Sequence, residues 1–413
     1  MVYSWVATCA RGLEPILYRE LAGLRCQALE PDVGGVRFRG GIEDAVRACL
    51  RLRTANRVLL ELARFPARDD AELYWGLFHA FQEAPKTALS LATLAHPQRT
   101  LAFRATSQRS QLRDTRWVCL RAKDALVDAQ RQRFGKRSSV SEEPDLPLRI
   151  RLLQDEATLL LDLVGESLDH RHYRLRGGIA PVRETLAAAL VLAAEVSQPG
   201  VVVDPMCGSG TLLAEAAAFY LGLPPLRLRQ RWKFEDWPGF SEALSKVRSE
   251  RLPAPAPETR FLGWDRSPLA IQAARTNLKA AGLDHQIELE VADAFKRSKP
   301  VDEGLLLLNP PFGDRFRIHD LFWQRLGDWL KNRWSGWRVG LLAGHPELVS
   351  SLGLRPSRRM AVFHGPLDAR IVILDLFPGS WRARKLDHPG KDCTSLKRNG
   401  DSAAGRRTEN MVS

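Results

Sequence analysis

The chain has 413 residues, room for two or three domains, and 45% of them are hydrophobic, the proportion of a water-soluble fold. No apolar run reaches membrane-spanning length, and the start, Met1 to Cys9, lacks both a basic stretch and a long apolar core, which argues against a signal peptide. A formal charge of +13 with a pI near 9.8 favours a polyanionic partner, while six scattered cysteines without Cys-x-x-Cys spacing point away from zinc and disulfides and toward a reducing cytoplasm.

Ser4 to Ala7 reads as a short strand, and Leu13, Ile16, Leu17, Leu21 and Leu24 then recur at helical spacing. Val36 to Arg39 alternates as a strand should, and a second helix runs through Ala45, Val46, Cys49 and Leu52. Residues 1–65 group no acid, base and nucleophile together, so they read as scaffold. From residue 66 to about 165 the chain is basic: Arg99, Arg104, Arg109, Arg113, Arg116, Arg121, Lys123, Arg131, Arg133, Lys136 and Arg137 face only Asp114, Asp124 and Asp128. Singly, each arginine reads as solvated surface; together they form the local excess that an RNA backbone would feel. Strands at Thr100 to Arg104, Leu148 to Leu152 and Ala157 to Asp162, with a helix burying Val118, Ala122, Ala125, Leu126 and Ala129, predict a sheet backed by helices. Ser138 to Pro147 is polar and acidic, an expected exposed loop. Gly165 to Gly178 is a linker in which Arg171, Arg174 and Arg176 are interleaved with His170, His172 and Tyr173; the two histidines lack partners for a metal site and read as surface or RNA-facing.

Ala180 to Glu184 begins an alanine-rich helix expected to run through Val196, with a proline near its first turn. Val201 to Val203 then reads as a buried parallel strand, and Leu212, Leu213, Ala216, Ala217 and Tyr220 as the helix after it. Between them lies Asp204-Pro205-Met206-Cys207-Gly208-Ser209-Gly210. Gly208 and Gly210 permit a sharp turn along which a ligand can lie, facing the N–H groups of the helix start. A dinucleotide fingerprint is incomplete, because Leu213 stands where the third glycine belongs, and no Walker lysine follows. Asp204 ends the strand, where a carboxylate can accept hydrogen bonds from a cationic amine such as that of S-adenosylmethionine. Taken alone, the stretch also fits an ordinary strand, turn and helix.

Residues 222–258 interrupt the alternation. Trp232, Phe234, Trp237 and Phe240, set among Arg227, Arg229, Arg231 and Lys233, could stack on bases, although aromatics beside prolines favour packing. Pro253 to Pro257 is a stiff spacer. Strands at Phe261 to Asp265 and Ile287 to Val291 deliver Asp265 and Asp293 to their carboxyl ends, placed for ribose hydroxyls and an adenine amino group. Leu305 to Leu308 is a further buried strand, stopped by Pro310 and Pro311, which have no N–H for a ladder. The Asn309 side-chain oxygen and the Pro310 carbonyl can both accept from an exocyclic amino group, and Phe312 offers a flat face for a base. A helix through Leu321 to Leu330 and strands at Val339 to Ala343, Met360 to Phe363 and Ile371 to Leu376 bring this sheet to seven strands, and the tail beyond Pro378 is expected to be disordered.

The Asp204 to Gly210 loop followed by Asn309-Pro310-Pro311-Phe312 resembles the class I S-adenosylmethionine-dependent methyltransferases that act on exocyclic amines of nucleobases. Thr8 to Glu14, Gly165 to Leu168 with Arg171 to Arg174, Ala180 to Thr185, Phe234 to Pro238 and Gly353 to Arg359 narrow the resemblance to THUMP-containing RNA guanine-N2 methyltransferases of the 23S ribosomal RNA type, over nearly all of the chain to about residue 378. That family usually carries Tyr where Phe312 stands, so stacking survives and a phenol hydroxyl is lost. The resemblance implies an α/β protein with a Rossmann-like seven-stranded methyltransferase sheet at 169–378, preceded by ferredoxin-like (1–65) and THUMP (66–168) α+β domains and followed by a basic tail (379–413). It implies S-adenosyl-L-methionine held by Asp204, Met206, Gly208, Gly210, Asp265 and Asp293; Asn309, Pro310 and Phe312 as the catalytic group; 23S ribosomal RNA as partner; a cytoplasmic location; and neither metal nor membrane. A tRNA guanine-N2 methyltransferase, a DNA adenine-N6 methyltransferase and a non-catalytic RNA-binding ribosome-assembly factor are the alternatives.

Overall fold

Strand-forming runs pair into two seven-stranded sheets in the computed structural model, which describes residues 1–177, 182–252, 258–311, 320–364 and 367–377. The first half runs β1 (Tyr3–Thr8), α1 (Glu14–Gly23), β2 (Gln27–Asp32), β3 (Gly35–Gly40), α2 (Ile42–Arg51), β4 (Arg57–Pro66), α3 (Asp70–Gln82), α4 (Leu91–Leu94), β5 (Leu101–Gln108), α5 (Thr115–Phe134), β6 (Leu146–Leu153) and β7 (Glu156–Asp162). Its strands lie in the order β2-β3-β1-β4-β7-β6-β5. The ten residues of β4 pair with β1 on one side and β7 on the other, so one strand fuses the segments before and after residue 66 into one sheet. On β6 the period of two is clean: Leu146, Leu148, Ile150 and Leu152 join the core shared with the helices. Arg149 and Arg151 project from the other face, 2.9 Å from Asp162 and 2.8 Å from Asp32.

The second half runs α6 (Glu184–Ala194), β8 (Val201–Asp204), α7 (Thr211–Tyr220), α8 (Phe240–Ser249), β9 (Arg260–Asp265), α9 (Pro268–Ala280), β10 (Ile287–Val291), β11 (Leu305–Leu308), α10 (Asp320–Arg333), β12 (Arg338–Ala343), α11 (Pro346–Ser351), β13 (Arg358–His364) and β14 (Leu367–Asp375). Strand order is β10-β9-β8-β11-β12-β14-β13, parallel from β10 to β12, with β14 antiparallel to both of its neighbours. Both faces are covered, which is why these strands read as unbroken apolar runs. Val202, Leu305 and Leu307 pack into one core with residues of α6 and α7, while Val201, Val203, Leu306 and Leu308 pack into another with Trp323, Trp329, Trp334 and Trp337.

Several local expectations change in the folded chain. The alanine-rich helix starts at Glu184 and stops at Ala194, so no proline lies in its first turn. Ser138 is buried, its hydroxyl 2.8 Å from Gln130, and Leu146 and Pro147 belong to β6; only the middle of the expected loop is exposed. Trp232, Phe234, Trp237 and Phe240 are all buried, and the Arg229 guanidinium lies over the Trp232 ring at 4.5 Å while donating to the Val164 carbonyl at 2.5 Å. Packing, as the neighbouring prolines led one to expect, accounts for that segment. Ala180 and Pro181, the Pro253 to Pro257 spacer, Phe312 and the tail from residue 378 lie outside the described residues.

Candidate active site

Residues 205–210 carry the chain from β8 into α7. Gly208 and Gly210 both adopt positive φ, 52° and 83°, which side chains resist. A Cβ on Gly208 would meet nothing within 4 Å among the described residues, so among these that glycine borders open space. Gly210 instead faces α9, where a Cβ would come 3.3 Å from that of Ala274. The close helix-to-sheet approach that a third glycine gives in a dinucleotide fold is supplied here from the neighbouring strand: a Cβ on Gly263 would come 2.5 Å from Leu213 Cδ1. Three of the loop amides are already used within the fold. Cys207 N–H donates to the Trp264 carbonyl at 2.9 Å, Gly208 N–H to Asp265 Oδ2 at 3.0 Å and Gly210 N–H to the Cys207 carbonyl at 2.8 Å.

Register sets out the carboxylates. Asp204 pairs with Gly263, and Asp265 lies two residues further along β9; Asp265 pairs with Val291, and Asp293 lies two residues beyond β10. The parity of those steps puts Asp204 and Asp265 on one face of the sheet at its carboxyl edge. Each acid also braces its own turn: Asp204 Oδ1 accepts from Met206 N–H at 3.2 Å, Asp265 Oδ1 from Ser267 N–H at 2.9 Å and Asp293 Oδ1 from Phe295 N–H at 3.0 Å. Met206 is partly buried against the tryptophan-lined core. Asp204 is 1% exposed, and burial pushes its carboxyl up to about 8; Asp265 adds repulsion and the Met206 amide opposes the rise. Burial first, then Asp204 and Asp265, pushes the Cys207 thiol well up as well, so it is no nucleophile near neutrality.

β11 lies on the other side of β8, paired through Leu305 with Val202 and Leu306 with Val203, so Asn309 emerges at the same edge as Asp204. Pro310 is buried. Asn309 Oδ1 is buried and, among the described residues, accepts no hydrogen bond. An unpaired buried acceptor is costly, and a ligand amine would relieve it.

A second set of residues beside the loop comes from the stretch that the sequence marks only as a linker between domains. Arg171 and Tyr173 are buried. Tyr173 donates to Glu215 of α7 at 3.0 Å, and Arg171 stands 3.7 Å from the same carboxylate. Arg174 pairs with Glu184 at 3.1 Å and donates to the Thr211 hydroxyl at 3.2 Å. His170 and His172 do stay exposed, 2.9 and 3.1 Å from Glu166. Among the described residues no group of three or more His, Cys, Asp or Glu could hold a metal ion, and no helix is long and apolar enough to cross a membrane. The strap from Arg171 to Arg176 therefore docks on the helix that the glycine loop begins. The available sequence signal was Asn277, a polar residue at the spacing of the apolar face of α9, whose carboxamide holds that strap.

Three family descriptions match in succession: an RlmL ferredoxin-like domain over residues 4–59, a THUMP domain over 79–162, and an RMKL-like methyltransferase domain over 171–373. Ribosomal RNA large subunit methyltransferase K/L of Syntrophotalea carbinolica is 36% identical over 390 residues, covering 90% of this chain and 53% of that protein. The protein of the same name from Pseudomonas paraeruginosa is 35% identical, covering 91% of this chain and 53% of its own. The chain thus spans about half the length of the curated relatives it matches. The same fold occurs in SMU.472, crystallised in complex with SAH, at a TM-score of 0.77 and 24% identity, with 92% of this chain and 99% of that one covered. With a ferredoxin-like module, a THUMP domain and an α/β methyltransferase sheet in that order, the chain belongs to the THUMP-containing, RMKL-like methyltransferase family.

Proposed function

We propose that this protein transfers a methyl group from S-adenosyl-L-methionine to the exocyclic N2 amine of a guanine in 23S ribosomal RNA, in the cytoplasm. The observation that carries the reading is the meeting, at one sheet edge, of a buried carboxylate beside a glycine turn with a buried amide oxygen that lacks a donor among the described residues. The name of the relatives supports ribosomal RNA as substrate, and SAH in a neighbour of the same fold supports the cofactor. The residues fit it: among the described residues Gly208 borders open space, and Asp204 offers a negative charge that burial makes costly without a cation. In this reading residues 1–65 form the ferredoxin-like part, 66–168 the THUMP part with its basic stretch on RNA, 169–378 the catalytic part and 379–413 a basic tail.

When bound, the sulfonium supplies an electrophilic methyl carbon. Asp204 accepts from the cofactor's ammonium group, Gly208 and Gly210 let it lie along the loop with Met206 beside it, and Asp265 and Asp293 take its ribose hydroxyls and adenine amine. Asn309 Oδ1 and the Pro310 carbonyl accept from the guanine N2 amine, keeping its lone pair directed at the methyl and favouring the charge that develops on nitrogen. Phe312 stacks on the base once it has left its helix, a step costing a few kcal/mol that stacking and phosphate contacts offset. The test is incubation with labelled S-adenosylmethionine and unmodified 23S, 16S and transfer RNA pools, followed by nucleoside mass spectrometry. N2-methylguanosine confined to 23S RNA is the expected result; label in transfer RNA moves the substrate, and N6-methyladenosine overturns the assigned chemistry.

A further inference from the structure

An asparagine inside a helix is a modest helix former, and its carboxamide is tolerated in a core only when its bonding sites are used. Asn277, in the last turn of α9, is 1% exposed and uses all four. Its oxygen accepts from the backbone N–H groups of Leu175 and Arg176, both at 2.9 Å. Its nitrogen donates to the Arg176 carbonyl at 2.9 Å and to the Ser209 carbonyl at 3.0 Å. Ser209 stands between the two glycines of the loop, and Ala274, three residues earlier on α9, abuts Gly210. One side chain therefore joins the strap, the glycine loop and α9. The strap in turn presents exposed Leu175 and Arg176.

We propose that Asn277 is a positioning residue for the cofactor: it holds the Ser209 carbonyl, and with it the left-handed turn at Gly208 and Gly210, in the binding conformation, and it ties that conformation to the strap. The inference rests on the reading that this loop holds S-adenosylmethionine. A loop held before the ligand arrives spares binding the cost of ordering it, so loss of the bridge weakens cofactor binding rather than the methyl-transfer step.

The test uses the full chain with Asn277→Ala and Asn277→Asp. The aspartate is nearly isosteric and still accepts from Leu175 and Arg176, but it loses both donated bonds, so it remains informative if the alanine variant fails to fold. SAH affinity is measured by calorimetry, and KM for S-adenosylmethionine and kcat are measured on 23S RNA. The expected result is that Kd and KM rise about tenfold, with kcat at saturating cofactor within about twofold of wild type. A folded variant with unchanged Kd, or one that loses kcat at unchanged KM, overturns the assignment of Asn277 alone. Wild-type protein that binds no SAH overturns the cofactor reading, and this inference with it.

Discussion

Asp204 offers the sharpest test of the site, because its burial makes cofactor affinity a function of pH. With its carboxyl at about 8, the group is about 99% protonated at pH 6 in the free protein, whereas the cofactor's amine, with an ordinary value of ~7.8, is almost fully charged there. Binding needs the carboxylate and the ammonium together, so it releases a proton at pH 6 and takes one up well above pH 8. The fraction of pairs in the binding state is about 1% at pH 6 and about 20% at pH 8, so SAH affinity should rise about twentyfold over that range, peak near pH 8 and then fall. Asp204→Asn loses a charge-assisted hydrogen bond, about 1.5–3 kcal/mol or ~10–100-fold in affinity at pH 8. At pH 6 it should differ far less from wild type, and its affinity should be flat up to pH 7. The sign for stability follows from the same shift. The free protein holds a proton there that the unfolded chain has lost above pH ~4, so wild-type stability declines as pH rises from about 4 to 8, by up to ~1.4 kcal/mol per unit, and the asparagine variant should lack that slope. Calorimetric titration of SAH from pH 6 to 9, in buffers of different ionisation enthalpy, reads both affinity and proton release. A wild-type affinity independent of pH between 6 and 8, or an asparagine variant that keeps the slope, would show that Asp204 does not pair with the cofactor's amine.

Asn309→Ala should lower kcat by ~10²–10³ while leaving SAH affinity within about threefold, because it removes an acceptor for the target amine; unchanged turnover would favour the assembly-factor alternative. Phe312→Ala should cost ~10–100-fold in kcat/KM for RNA through lost stacking, and Phe312→Tyr should retain activity; equal losses in both would exclude a stacking role. Gly263→Ala places a methyl 2.5 Å from Leu213 and 2.6 Å from Leu289, so chemical denaturation should show a loss of about 1–3 kcal/mol; an unchanged midpoint would mean that those two leucine side chains can turn aside.

Much of the architecture is carried by short-range signals that the folded chain retains. Runs such as Val201 to Val203 and Leu305 to Leu308 are apolar on both sides because helices cover both faces of their sheet, and the prolines after Asn309 end β11 where a ladder cannot continue. Asp204, Asp265 and Asn309 were legible for the same reason: each ends a strand, and parallel strands deliver their carboxyl ends to one edge. Tertiary structure alone decided the rest, because its partners are far apart in the chain. Nothing local to Arg57–Pro66 tells that β4 will pair with both β1 and β7 and so merge two segments into one sheet. Arg171 and Tyr173 have the composition of a surface and are buried, since Glu215, more than forty positions later, supplies a carboxylate for them. Asn277 meets Leu175 across 102 positions. The raised carboxyl of Asp204 is likewise a product of burial and of Asp265 beside it. Periodicity reports which face of an element is apolar, but desolvation and pairing depend on what the fold lays against that face, and only the assembled sheet and its helices supply that.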